Sequence, residues 1–174
     1  IGHNRGTYMS SYRYAAYGSN LHPERLRKRV PSATLLGTGF LPGYCLKFHK
    51  LSDVDGTGKC NIVVGGPGVY LAIYDIATSE RTQLDRIEGP GYERQEIQVH
   101  DFGICSTYIA SKLSIVDALQ PADWYREYVV KGARFHAFPH QYLLSLESQS
   151  TVADPDNDRS CREWQLLDEL QNSV

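Results

Sequence analysis

Turn-forming clusters recur so often between residues 34 and 111 that nothing longer than a strand or a short helix fits between them. Pro42-Gly43 and the stretches 53–58 and 65–68 separate the segments 34–41, 44–49, 59–64 and 69–76. Each segment is rich in residues that suit a pleated, half-buried surface. The spacing predicts a run of antiparallel hairpins. A Tyr/Ala-rich strand over 12–17 precedes the run. Strands over 93–100, with alternating Ile97 and Val99, and over 104–111 follow it. Together they make a mixed sheet of six or seven strands, near the usual size.

Helices fall outside this region or in its gaps. Pro23 suits a first helical turn and Pro31 stops the segment. Thr78 caps a helix through Ile87, which Gly89, Pro90 and Gly91 end, leaving Glu88 at its terminus. Pro121 opens a helix whose Trp124, Tyr125, Tyr128 and Val129 share one face and whose Gly132 suits the C-cap. A further helix runs over 139–146. The polar stretch 148–158 reads as a linker. Ser160 and Glu163 then form a capping-box pair ahead of the stripe Trp164, Leu167 and Leu170. The expected organisation is a disordered lead-in or foreign remnant over 1–11, a domain over 12–147, and a linker with a C-terminal amphipathic helix over 148–174. That helix packs back on the domain or serves a dimer.

Bulk composition excludes several functions. The chain has 174 residues, 41% hydrophobic and 22% charged, ordinary for one globular domain. At this length folding removes about 70% of the extended chain's surface, so the core needs no metal or disulfide staple. A net charge of −2 provides no field for nucleic acid or anionic lipid. The one dense basic run, residues 25–29, reads as a solvated helix face, with a local phosphate patch as the alternative. Cys45, Cys60, Cys105 and Cys161 stand far apart and read as free thiols. No apolar stretch is long enough to cross a bilayer and the first residues do not resemble a signal peptide, so the expectation is a cytoplasmic protein without membrane contact.

Four motifs fail on inspection. The stretch 53–58 begins like an EF-hand loop, but Val64 stands where the twelfth-position glutamate belongs. Gly58-Lys59 lacks the earlier glycine and following Ser or Thr of a Walker loop. Pro139 spoils regular presentation of His136 and His140 to zinc. Tyr17-Gly18-Ser19-Asn20 lacks the second glycine of a nucleophile elbow, and no histidine is nominated as its base. No cofactor or metal is implied.

What remains is Tyr17-Gly18-Ser19-Asn20-Leu21 after a short strand, which resembles the signature loop of the γ-glutamylcyclotransferase and AIG2-like superfamily. Leu84-Asp85-Arg86-Ile87-Glu88-Gly89 resembles that family's segment carrying its catalytic glutamate. Tyr92, Tyr108 and Tyr125 fall at matching places, and Lys131-Gly132-Ala133-Arg134 with Phe138-Pro139 resembles the family's helix end. The likeness covers about residues 12–146. It implies an α+β fold, a mixed six- or seven-stranded β-barrel-like sheet with flanking helices. It also implies a small-molecule γ-glutamyl substrate and a monomer or homodimer.

The implied chemistry suits these residues. A γ-glutamyl amide cyclises when its α-amino nitrogen attacks its own side-chain carbonyl, giving 5-oxoproline and a free amine. Because the attack is intramolecular, positioning supplies much of the acceleration. The α-ammonium has a pKa of about 8 and must be stripped, and the departing amine needs a proton. One carboxylate can do both, and Glu88 is the candidate. Backbone N–H groups of Gly18, Ser19, Asn20 and Leu21, with Tyr17 at the strand end, offer donors to the α-carboxylate and the developing oxyanion. Tyr92, Tyr108 and Tyr125 close the pocket and exclude water. As core tyrosines in a chain with 12 of them, they have an equally ready structural reading. Asn61 reads as a buried backbone-bonding residue. Two rivals stand beside catalysis: an AIG2-like module that binds a glutamate-like ligand without turnover, and a tailoring enzyme that removes a γ-glutamyl protecting group.

Overall fold

The computed structural model describes residues 9–170. Its centre follows from one strand, Val69–Ala77, along which Val69, Leu71, Ala72, Ile73, Tyr74 and Ile76 are all buried. A strand apolar on both faces needs cover on both, so it belongs inside a sheet. In chain order the strands are β1 (Ser11–Ala16), β2 (Thr34–Leu41), β3 (Tyr44–Leu51), β4 (Gly58–Val64), β5 (Val69–Ala77), β6 (Tyr92–Val99) and β7 (Gly103–Ala110). β5 lies between β2 and β1, antiparallel to both, and β1 runs parallel to β7, which pairs with β6. β3 and β4 form a separate two-stranded ribbon. The seven strands of this α+β fold thus divide into a five-stranded mixed sheet and a ribbon, with no closed ladder among the described residues.

The expected run of hairpins is corrected by this pairing. Between β2 and β5 only β3 and β4 form a hairpin; β2 pairs with β5, across the whole inserted ribbon. The register runs from Thr34 opposite Asp75 to Leu41 opposite Val69, nearly the full length of β5.

Five helices flank the sheet: α1 (Pro23–Arg29), α2 (Arg81–Glu88), α3 (Asp123–Phe135), α4 (His140–Glu147) and α5 (Asn157–Glu169). Thr78 starts a short 3-10 turn rather than capping α2, which ends at Glu88 where Gly89 adopts φ 76° and returns its N–H to the Asp85 carbonyl at 3.0 Å. Gly132 does not cap α3, which continues to Phe135. A Cβ there would lie 2.5 Å from the Leu21 Cβ, so this glycine lets α3 press against the loop after β1. The capping-box expectation fails too. α5 begins earlier, with Asp156 accepting from the Arg159 amide at 3.0 Å, and Glu163 instead accepts the Tyr128 hydroxyl at 2.8 Å.

α5 packs back on α3: Leu167 and Leu170 are buried and the Lys131 ammonium donates to the Leu167 carbonyl at 2.7 Å. Within 148–158, Val152 bridges to Ala122, and Asp154 is buried. The lead-in expected over 1–11 lies outside the described residues except at its end, where Ser11 opens β1. No helix among the described residues is long and apolar enough to cross a membrane.

Candidate active site

β1 delivers the chain to residues 17–20 at the end of the sheet, α2 ends beside them, and the ribbon supplies the third wall. The result is a small cavity of about 20 Å³ lined by Tyr17, Gly18, Ser19, Asn20 and Glu88 together with Tyr92, Tyr108 and Tyr125. Eight of the nine site residues read from the sequence therefore meet in one place. Leu21 does not. It is wholly buried, its carbonyl accepts the Tyr74 hydroxyl at 2.7 Å and bonds the His136 ring at 2.6 Å, and its amide closes the turn on Gly18. The amides of Gly18, Ser19 and Asn20 have no protein acceptor among the described residues, and these three residues line the cavity.

Glu88 and Asp85 sit on the same helix and differ in what they have left to do. Asp85 is held by Arg94 at 2.7 and 2.9 Å and by the Tyr108 hydroxyl at 2.6 Å. Glu88 receives one side-chain donor, the Asn20 amide, 2.7 Å from its Oε1. Burial pushes the Glu88 carboxyl above its usual range, against the pull of Arg29, Arg25, Lys50 and the Asn20 bond. A carboxyl raised by desolvation is a better base near neutrality than an ordinary one.

Asn20 is 3% exposed and its orientation is fixed from both sides. Arg29 donates to its Oδ1 at 3.3 Å, while its Nδ2 donates to Glu88 and, at 3.2 Å, to the Tyr14 hydroxyl. A cation on the oxygen side and a carboxylate on the nitrogen side leave one sensible rotamer of the amide.

The tyrosines divide by where their protons go. Tyr17 donates to the Tyr108 carbonyl, Tyr92 to the Cys60 carbonyl at 2.6 Å, and Tyr108 to Asp85. These three hold the walls in place rather than offering donors to a ligand. Tyr125 accepts from the Cys60 amide at 3.0 Å and its hydroxyl also lies against the Cys60 side chain. Cys60 itself is buried and its thiol is pushed up to about 12 by that burial, which makes it a wall and not a nucleophile. Gly18 is needed for close approach: a Cβ would stand 3.0 Å from the Cys60 Cβ.

Sequence reasoning missed Tyr14, Cys60, Lys50 and Arg29. Tyr14 had a weak signal, since period two puts it on the same strand face as Ala16; the spacing of Cys60 and Lys50 carried none. Lys50 follows a register break in β3 between Lys47 and Lys50, a device that re-aims side chains. Residues 25–29 are solvated only at Arg27 and Lys28. Arg25 is 8% exposed with its guanidinium 3.5 Å above the Tyr128 ring, because α3 and α5 cover that side of α1. Asn61 does what was expected, accepting the Ala110 amide at 2.9 Å.

Residues 68–146 match the model of the AIG2-like family. A γ-glutamylcyclotransferase of Bos taurus is 28% identical over 147 residues, spanning 79% of this chain and 78% of its own. A solved γ-glutamyl cyclotransferase superposes with a TM-score of 0.79 at 23% identity, over 92% of this chain and 99% of the other. A human protein solved without a characterised function superposes at 0.76, also 23% identical, over 91% and 99%.

Proposed function

We propose that this chain, similar over residues 68–146 to the AIG2-like family and in sequence and fold to γ-glutamylcyclotransferases, is a γ-glutamylcyclotransferase-type enzyme, converting a γ-glutamyl compound to 5-oxoproline and a free amine with Glu88 as acid and base. The observation that carries the reading is the shared cavity: a desolvated carboxylate and three unspent backbone amides line it together.

The substrate's α-carboxylate and γ-carbonyl oxygen take the amides of Gly18, Ser19 and Asn20. Glu88 removes a proton from the α-ammonium, and the freed nitrogen attacks the γ-carbon. The new C–N bond closes the lactam as the old amide C–N bond breaks. Two protons leave the α-nitrogen in all; Glu88 passes one to the departing nitrogen, and the second completes the product ammonium. The Tyr92, Tyr108 and Tyr125 rings keep water from the carbonyl, so cyclisation outruns hydrolysis. Every step uses groups already fixed by the fold, which suits a unimolecular reaction.

Incubation with γ-glutamyl-alanine and with a γ-glutamyl-lysine isopeptide, following 5-oxoproline by mass spectrometry, tests this. Formation from either compound supports the reading. Absence of product from every γ-glutamyl compound refutes it and favours the binding module.

A further inference from the structure

Glu88 is also on the wall of a second, wider space, a cleft of about 350 Å³ that opens to solvent. Under the cyclising reading the γ-glutamyl group reacts where Glu88 meets the inner cavity, so the departing group lies toward the cleft. Three cations that touch no carboxylate line it. Lys50 is 4% exposed, has no hydrogen bond or ion pair among the described residues, and holds its ammonium 4.9 Å above the Tyr92 ring. Arg25 is stacked on Tyr128 with its Nε enclosed and unpartnered. Arg29 spends one nitrogen on Asn20, leaving the rest of its five donors.

The other charges of the cleft are already engaged or stand at its edge. Lys59 pairs with Asp55 at 2.8 Å, Arg159 with Asp154, and Glu163 takes the Tyr128 hydroxyl. Asp53 is on the exposed rim, as is Arg86. A buried cation without a partner is unfavourable until a ligand supplies the anion. Glu88 acts on all three, while Asp53 and Asp55 also act on Lys50 and Glu163 on Arg25; protonation of Glu88 removes the charge the three share.

We propose that this cleft is a subsite for an acidic leaving group, one carrying two carboxylates, received by Lys50, Arg25 and Arg29. The inference rests on the cyclising reading above. A leaving group with one carboxylate leaves two of the three cations uncompensated; an amino acid with an acidic side chain leaves one. A cationic amine meets like charge throughout. Acidic γ-glutamyl dipeptides are therefore the substrate class that fits, and γ-glutamyl amines are the class that does not.

The test is a panel graded by the charge of the leaving group: γ-glutamyl-glutamate, γ-glutamyl-alanine, γ-glutamyl-alaninamide and mono-γ-glutamyl-1,5-diaminopentane, whose free amine makes it cationic. The expected kcat/KM falls by about tenfold for each carboxylate removed. Lys50→Gln narrows the ratio between γ-glutamyl-glutamate and γ-glutamyl-alaninamide by about tenfold, and Arg29→Gln narrows it as well. Equal or better turnover of the neutral or cationic compounds overturns the proposal, as does a Lys50→Gln loss shared equally by all four. Calorimetric binding of the same compounds to Glu88→Gln separates this from turnover. If no compound gives 5-oxoproline, the enzyme reading fails; tighter binding of γ-glutamyl-glutamate than of γ-glutamyl-alaninamide still supports the subsite, and equal binding refutes it.

Discussion

Two corners of the molecule each draw an acid in from solvent, and they treat it in opposite ways. Where α3, α5 and the segment before α5 meet, Asp154 receives Arg159 through two nitrogens, the Trp124 indole at 2.9 Å and the Asp156 amide at 3.0 Å. Those donors, Arg159 first, hold its carboxyl down to about 2. Where β1, α1 and α2 meet, Glu88 is half-buried with a single side-chain amide, and desolvation of its carboxyl pushes it up instead. Full satisfaction makes an acid a fastener; partial satisfaction keeps it reactive. The second arrangement costs stability, which proteins accept at functional sites.

Removing each acid should expose the difference. Glu88→Gln should lower kcat/KM for γ-glutamyl compounds by about a thousandfold, the usual worth of a positioned acid–base group. Its stability should move the other way. A folded-state pKa raised by burial means the charged form is disfavoured on folding, a penalty absent when the residue is protonated in both states and incurred as pH rises through the unfolded and then the folded pKa. Glu88→Gln should therefore melt higher than the parent at pH 7, with the gap closing in acid, as calorimetry at several pH values would read. A loss of stability at pH 7 with activity retained would reverse the two corners.

Asp154→Asn should behave as the mirror image. It should cost about 2–3 kcal/mol in denaturant unfolding, because Arg159 loses its buried partner, with kcat per folded molecule close to the parent's. The pH dependence follows from its depressed carboxyl. The stabilisation is present above the unfolded value of 3.8 and drains away as pH falls toward about 2, so the parent should lose stability across that window and Asp154→Asn should not.

Arg29→Gln is a finer cut. Arg29 is the largest of the charges pulling the Glu88 carboxyl down, so its removal should shift the acid limb of the kcat profile to higher pH and cost about threefold to tenfold near pH 6. A profile unmoved by Arg29→Gln would mean that Glu88 is not the group titrating. The smallest effect belongs to Tyr108→Phe. Its hydroxyl serves Asp85, so the loss should be about 1 kcal/mol of stability with a modest change in turnover. A hundredfold fall in kcat at full stability would instead put that hydroxyl on the substrate.

Much of this was readable from local chemistry. The strand-to-loop step at Tyr17-Gly18 and the helix stop at Gly89 depend on residues next to one another, and both appear where the glycines demanded. The failures involve residues far apart. Nothing near β2 says that its partner is β5, beyond an inserted ribbon. Gly132 looks like a helix cap until Leu21 is seen against it. Arg25 belongs to a run of basic residues that would be solvated on an isolated helix, and only Tyr128 and α5 make it a buried cation. Tyr14 was one more strand tyrosine until the fold set it beside Asn20. The site residues with a motif around them could be named in advance; those recruited by packing could not.

The most direct test is a crystal structure of Glu88→Gln with γ-glutamyl-alanine bound. The account predicts the α-nitrogen within about 3.2 Å of the residue-88 carboxamide, the amides of Gly18, Ser19 and Asn20 on the ligand's oxygens, and the alanyl carboxylate directed toward Lys50. A ligand seated elsewhere, or one whose α-nitrogen points away from position 88, would contradict it.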